Sequence, residues 1–239
     1  MRTLKLLALL LLCVSVSAVA QNYLNSGPRG KGASVQKQLD LPAITGIHLS
    51  ISAEVRLSQG DRQAVSIKAQ PNIVELINTE VKNGNWNISF TESVKGHGDI
   101  IIDLTVTDLE SIGLSGSGSV HGQNAFHGLQ DLELVISGSG DIKLDFESES
   151  VECMLSGSGD MQLAGKVNQQ EINITGSGDI SAFDLASAQT RISITGSGDA
   201  EVQVSDQLEA SIVGSGDVHY HGAPAVRSNI IGSGDVYQK

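Results

Sequence analysis

The tetrapeptide Gly-Ser-Gly-Asp occurs six times between Gly138 and Asp235, and a seventh copy, Gly116 to Ser119, ends in serine. The copies begin 18 to 22 residues apart. A supersecondary unit of that length cannot bury an apolar face alone, so it must stack on copies of itself, and the chain is expected to be a solenoid.

Alternate residues of a strand share a face, so aligning the copies on their motif separates inside from outside. Two residues before the first glycine stand Leu114, Ile136, Leu155, Ile174, Ile194, Ile212 and Ile230, and four before it Ile112, Leu134, Cys153, Ile172, Ile192, Ala210 and Ser228. Directly after the motif come Val120, Ile142, Met161, Ile180, Ala200, Val218 and Val236, and two further on a looser column that includes Leu144, Leu163 and Val202. Both flanks therefore read as strands with apolar residues turned the same way, and the motif reads as the corner between them. An antiparallel meander would share the period, but like residues stacking on like favours one rung per repeat. The expected class is all-β, a right-handed parallel β-helix or β-solenoid with roughly 18–22 residues per rung and strands ~4.8 Å apart. Glycine suits such a corner because it tolerates positive φ and needs no room for a Cβ. Aspartate suits its end because its carboxylate accepts local N–H bonds.

The N-terminal half reads as a degenerate version of the same unit. Ile47 to Leu57 overlays Leu134 to Leu144, with Ile51 and Ala53 in place of the two glycines and Glu54 in place of the aspartate. Lys82-Asn83-Gly84-Asn85 joins two alternating runs, Ile73 to Val81 and Trp86 to Phe90, which predicts a hairpin, and Ile100 to Val106 predicts a further strand. This irregular stretch is the natural N-terminal cap of the column, with Trp86 as one of its packing residues. Before it, Arg2 and Lys5, the apolar run Leu6 to Val16 and the small residues Ala18-Val19-Ala20 form a signal peptide pattern. An apolar run of 11 residues is too short for a membrane span, which needs ~20. The expected organisation is a signal peptide at 1–20, a flexible lead at 21–38 and a single β-helical domain at 39–239, its degenerate rungs and cap at 39–107 and its regular repeats at 108–239. The chain stops three residues after Val236, so the last rung is expected to present open strand edges that favour a partner or self-association.

The exported start, the repeated Ile/Leu-x-Ile/Leu-Ser/Thr-Gly-Ser-Gly-Asp-Ile/Val unit and its degenerate first copy together resemble the bacterial family described as putative auto-transporter adhesin, head GIN domain. The resemblance covers Leu39 to Val236. It implies an exported β-helical domain of unassigned biochemical activity. No catalytic or binding residues come with it.

With 27 acidic against 15 basic residues the formal net charge is −12, which opposes nucleic acid and anionic lipid headgroups and leaves room for a cationic partner. Once the signal is removed Cys153 is the one cysteine, so no intramolecular disulfide forms, and its place in an Ile/Leu column predicts a buried, inert thiol. The sharpest chemical candidate is the column Asp141, Asp160, Asp179, Asp199, Asp217 and Asp235. Neighbouring carboxylates at rung spacing repel, so they must fan into solvent, accept backbone N–H bonds, shift their pKa values or hold a cation such as calcium. The serines Ser117, Ser139, Ser158, Ser177, Ser197, Ser215 and Ser233 are expected to bond locally, because no histidine recurs with the repeat to activate them. His219 and His221 are placed for one strand face, as surface residues or a metal pair.

Uniform repeats with small insertions argue against the gathered unlike residues of a catalytic cleft, so the leading expectation is a non-catalytic exported scaffold or adhesin-like module of the bacterial envelope, bound to an envelope or extracellular partner. Two alternatives stand beside it: a calcium-binding solenoid using the aspartate column, and a polysaccharide-active β-helix enzyme. No cofactor is expected apart from that calcium, and no transmembrane segment remains after the signal. The protein is expected in the periplasm, at the cell surface or released.

Overall fold

The computed structural model describes residues 27–239, so the signal segment, Cys13 and the first residues of the lead lie outside the described residues. The regular half is the parallel stack the repeat implies. Strands β8 (Ser111–Gly116) and β9 (Ser119–Gly122) flank the first corner, followed by β10 (Phe126–Gly138), β11 (Asp141–Gly157), β12 (Asp160–Gly176), β13 (Ile180–Gly196) and β14 (Ala200–Gly214). The next rung is split into β15 (Val218–His221) and β16 (Ala225–Gly232), both on β14, and β17 (Val236–Gln238) begins a further rung on β15. Each strand pairs in parallel with the next copy, and equivalent residues sit side by side: Leu155 on Ile136 and Ile174, Asp141 on Asp160. The inner column Leu114, Ile136, Leu155, Ile174, Ile194 and Ile212 is at most 1% exposed throughout. Burying each such side chain contributes about 1.5–3 kcal/mol, which is what holds a chain without disulfides together.

The degenerate unit is a true rung. Strand β2 (Gly46–Leu49) places Ile47 on Ile112 and Leu49 on Leu114, and β3 (Glu54–Gln59) places Val55 on Val120. The other faces of these strands carry a second rung, β6 (Asn85–Ile88) and β7 (Ile101–Val106), also parallel and in register. Spatial order therefore differs from chain order. The chain lays down β2 and β3, leaves to build the cap, returns on the far side as β6 and β7, and then crosses to β8. Rung-to-rung overlay of sequence reveals membership of the stack but not this interleaving.

Beyond β7 the sheet continues by antiparallel pairing. Strand β4 (Ala64–Ala69) runs antiparallel to β7, and β1 (Val35–Leu39) antiparallel to β4. The edge strand β1 is short and mostly exposed, and Lys37 on it pairs with Glu75 at 2.8 Å, a charged edge that discourages further strand addition. The hairpin turn is present, with Asn83 (φ 50°) and Gly84 (φ 78°) between β5 (Val81–Lys82) and β6. Trp86 is fully buried beneath it and donates its indole N–H to the Asn78 carbonyl at 2.8 Å.

Three expectations need correction. The residues of the lead from 27 to 38 are tied down rather than flexible: Val35–Leu39 is strand β1, and Gly30 N–H bonds the Gly96 carbonyl at 2.9 Å. The run Ile73 to Val81 is not one strand. Pro71 presets the φ of a first helical turn, so Pro71–Val74 is a short helix, α1, with Ile73 and Val74 buried, and only Val81–Lys82 is extended. The serine hydroxyls of the motif stand exposed, and it is the serine amide that bonds across rungs, as in Ser177 N–H to the Gly157 carbonyl at 2.9 Å.

Candidate functional site

The six aspartates form a continuous row on the outer side of the corner, and backbone amides donate to the carboxylates of five of them, Asp160, Asp179, Asp199, Asp217 and Asp235. Asp179 N–H donates to Asp160 Oδ1 (3.3 Å), Asp199 N–H to Asp179 Oδ1 (2.8 Å), Asp217 N–H to Asp199 Oδ1 (2.7 Å) and Asp235 N–H to Asp217 Oδ1 (2.8 Å). The cause lies one residue back. In the lower rungs the amide of Asp160 still reaches the Gly140 carbonyl, at a long 3.2 Å, whereas higher up each aspartate carbonyl is engaged by the rung below, as in Met161 N–H to Asp179 O at 3.0 Å. The amide left over takes the neighbouring carboxylate instead. Among the described residues no three His, Cys, Asp or Glu side chains converge as a metal site would require. Asp141, the foot of the row, is exposed.

Beside this row a small cavity of about 320 Å³ is lined by Asp160, Asp179, Asp199, Glu201 and His219. Glu201 receives Lys239 Nζ at 2.8 Å and the Ser181 hydroxyl at 3.0 Å, and the Lys239 ammonium foremost holds its carboxyl below the usual carboxylate range. His219 and His221 are not a metal pair: His219 packs against Tyr237 with ring centroids 4.3 Å apart, and His221 stacks on Phe183 at 4.1 Å. Cys153 is fully buried, and burial pushes its thiol pKa up to about 12, so it is inert as expected. One serine–histidine contact escaped the sequence reading, Ser115 Oγ to His48 Nε2 at 3.0 Å, because the two residues are 67 positions apart. Among the described residues no carboxylate orients the other nitrogen of His48, so the pair lacks the third group a nucleophile needs.

A larger concave feature lies elsewhere, at the bend on the far side of each rung. Leu129, Ser148, Val167, Ser187 and Val204 stack in register along it. The residues on either side of each floor position turn outward, so the bend is concave to solvent. The result is an open groove of about 1020 Å³ that runs along the column axis from Gly128 to Ala223. Its lining comes from six successive rungs, and the five that carry the named floor residues span about 19 Å at ~4.8 Å per rung. Its rims are Glu147, Lys166, Ala186 and Gln203 on one side and Glu149, Asn168, Ala188 and Ser205 on the other. Glu147 is paired with His127 at 3.2 Å, and Glu149 accepts from Asn168 at 2.9 Å. The bend is built where repeat lengths differ, with a register shift between Ala182 and Ala186 and positive φ at Gly128, Gly165 and Gly222. Column alignment on the corner motif cannot find this groove, since it lies where the alignment slips. The small residues Gly128, Ala186, Ala188, Gly222 and Ala223 in its lining were the available signal.

No helix among the described residues is long and apolar enough to cross a membrane. A comparison with curated proteins gives no match. Among solved structures, a putative lipid binding protein from Parabacteroides distasonis is similar at 25% identity and a TM-score of 0.75, over 88% of this chain and 98% of that one. A putative adhesin from Bacteroides fragilis is similar at 21% identity and a TM-score of 0.80, over 88% and 99%. A putative adhesin from Parabacteroides distasonis is similar at 27% identity and a TM-score of 0.68, over 90% and 100%. The family model described as "Putative auto-transporter adhesin, head GIN domain" matches residues 43–224, from the rung of β2 through that of β15, and the chain belongs to this family.

Proposed function

We propose that this protein is a non-catalytic binding module of the cell exterior that holds an extended ligand along the axial groove. The observation that carries the reading is the groove itself: a continuous concave track crossing six rungs, with a floor of Leu129, Val167 and Val204 interrupted by two serines and with polar rims. A linear molecule laid along the column meets the same backbone environment at each rung. That repetition suits a chain-like ligand better than a compact one. The adhesin and lipid-binding names of the structural relatives fit such a role, and because Leu129, Val167 and Val204 are themselves buried, it is the rim side chains and the floor backbone that an extended ligand would meet. The enzyme reading has less to support it, because the aspartates it would use have a carboxylate oxygen engaged by the next rung.

The test is binding of a panel of linear ligands (palmitate, neutral and uronic linear glycans, an extended peptide) to the mature protein by calorimetry. Ala188→Trp should fill the groove and abolish binding, whereas Ser177→Trp on the opposite corner should not. Binding that survives Ala188→Trp, or no binding across the panel, would falsify the reading.

Self-association is a second reading, favoured by the exposed apolar side chains Val226 (40%), Ile231 (63%) and Tyr237 (42%) on β16 and β17. Sedimentation equilibrium of the wild type against Ile231→Lys decides it: a concentration-dependent dimer lost in the variant supports it, and a monomer at all concentrations removes it.

A further inference from the structure

We propose that the cap end of the column is a docking surface for an anionic phospholipid bilayer, so that the protein stands end-on to a membrane. The net negative charge of the chain opposes such a partner, but that charge is unevenly placed. Residues 27–98, which build the cap and the first two rungs, carry eight Lys and Arg against six Asp and Glu. Residues 99–239 carry five against twenty-one. The molecule is therefore polarised along its axis, and charge asymmetry between two parts of a chain points to binding of a charged surface.

The positive charge gathers where the outermost parallel rung turns its corner. The rung of β2 and β3 turns through four residues, 50–53, whereas that of β6 and β7 takes twelve, 89–100, including Lys95-Gly96-His97-Gly98. Against this loop lies a second glycine-rich basic stretch, Arg29-Gly30-Lys31-Gly32. The two are clasped together: Gly30 N–H bonds the Gly96 carbonyl at 2.9 Å and Lys95 N–H the Pro28 carbonyl at 3.0 Å. Asn72 braces the second stretch, accepting from Lys31 N–H at 2.8 Å and donating to the Arg29 carbonyl at 2.9 Å. Gln70, directly after β4, accepts from Gly98 N–H at 2.9 Å, and Lys68 lies two residues before it on the outward side of that strand. Arg29, Lys31, Lys68 and Lys95 are all exposed. Lys37 and Lys82 are spent on Glu75 and Glu80, at 2.8 and 3.0 Å, but among the described residues these four are in no ion pair. Glu92 and Asp99 stand on the same loop and leave the cluster a net positive charge.

Two observations select the partner. The amides of Gly30, Lys31, Lys95 and Gly98 are all bonded within the cap, so the loops present long cationic side chains rather than a nest of free N–H groups that would grip one phosphate. Such an end suits a plane of headgroups better than a single bound ion. Distance then decides whether the acidic column cancels the attraction. Asp141 begins the aspartate row three rungs from Ile101, through Glu54 and Ser119, about 14 Å at ~4.8 Å per rung. The Debye length at physiological salt is ~8 Å, so the row is screened from a surface that the cap touches. Glu54, one rung away, is paired with Arg56 at 2.7 Å. Headgroups therefore attract the cap and not the column, which sets the molecule on its cap end, whatever the axial groove holds.

The experiment is co-sedimentation of the mature protein with vesicles of phosphatidylcholine alone or of equal parts phosphatidylcholine and phosphatidylglycerol. Binding is expected to the anionic vesicles only, and is expected to vanish in ~1 M salt, where the Debye length is ~3 Å. A basic residue near an anionic surface contributes about fivefold in partitioning, about 1 kcal/mol, so Arg29→Gln, Lys31→Gln and Lys95→Gln together should weaken binding about 100-fold. Lys143→Gln, Arg191→Gln and Arg227→Gln together remove the same charge from the column and should leave binding nearly unchanged. Lys68→Gln, an exposed change on a strand, should weaken it about fivefold and carries the test if the loop variant does not fold. No binding to the anionic vesicles overturns the proposal, as does equal weakening by the two triple variants, since net charge alone then governs. So does a salt-sensitive oligomer formed in place of vesicle binding and lost in the loop variant, which would pair the cap with the aspartate row of a second copy.

Discussion

The two glycines of each corner are needed for different reasons, and the difference shows in what a side chain would meet. The first sits at positive φ, +126° at Gly176, which L residues avoid. The second has ordinary backbone angles but is buried, and a Cβ on Gly178 would collide with the carbonyl oxygen of Gly159 in the rung below. That collision is with backbone, so nothing flexible can give way. Gly178→Val should therefore destabilise the protein by about 1–3 kcal/mol or more, the range for overpacking. Amide exchange should rise at Gly159 in the rung below as well as at the mutated corner; a change confined to residues 176–180 would contradict the stacked corner. Glu201 offers a pH test at the same scale. Its carboxyl is held below its ordinary value, foremost by Lys239, so the folded protein binds this proton less readily than the unfolded chain. A depressed carboxylate contributes stability that is complete above the unfolded value near 4.5 and is lost as pH falls through the folded one. Urea midpoints of the wild type should consequently fall more steeply below pH 4.5 than those of Glu201→Gln, and Lys239→Met should remove most of the difference.

At the scale of the element, the aspartate row is a strand ladder continued by side chains. Where carbonyls of the corner are already engaged, the carboxylate of one rung accepts the amide of the next. Asp199→Ala leaves the Asp217 amide without its acceptor and should cost about 1 kcal/mol, while Asp199→Asn keeps an oxygen in place and should cost less. Equal losses in chemical denaturation would mean that charge rather than hydrogen bonding sets the row. The parallel stack, its inner columns and the rung formed by Ile47 to Leu57 were legible in the sequence, because burial on one face writes a period of two into every strand and stacking writes the same residue types at each repeat. The helix at Pro71–Val74 was not, since Ile73 and Val74 are apolar in either geometry and α1 is too short to show a helical period. Nor was the axial groove, whose floor alternates Leu129, Ser148, Val167, Ser187 and Val204 and so mimics an imperfect column.

At the scale of the whole molecule, interleaving makes the two ends of the column unequal. The rung of β2 and β3 is held between β6 and β7 on one side and β8 and β9 on the other, and the antiparallel strands β4 and β1 continue the sheet outward from β7. Releasing β6 and β7 requires breaking the hairpin, the cap and both parallel ladders together. Residues 107–110 link that outer rung to β8, so it is also tethered across the rung between. At the opposite end β16 has one strand partner, β14, and nearly all its residues are exposed; only Ile230 is half-buried. A stack stabilised by nearest-neighbour interfaces loses rungs first where a rung has one neighbour and little buried surface. Hydrogen exchange should therefore run in one direction, fastest in β16 and β17, slower through β14 and β13, and slowest in β2, β6 and β8. Trp86→Ala should abolish that asymmetry between the two ends. It empties the buried indole site beneath the hairpin, costs about 3–5 kcal/mol, and removes the bond to Asn78 that joins the hairpin to the segment after α1. The rung of β6 and β7 would then exchange as fast as β16, while the middle of the column, β11 to β13, keeps its protection. Uniform loss of protection along the whole column after Trp86→Ala would show instead that the stack unfolds as one cooperative unit and that interleaving does not localise stability.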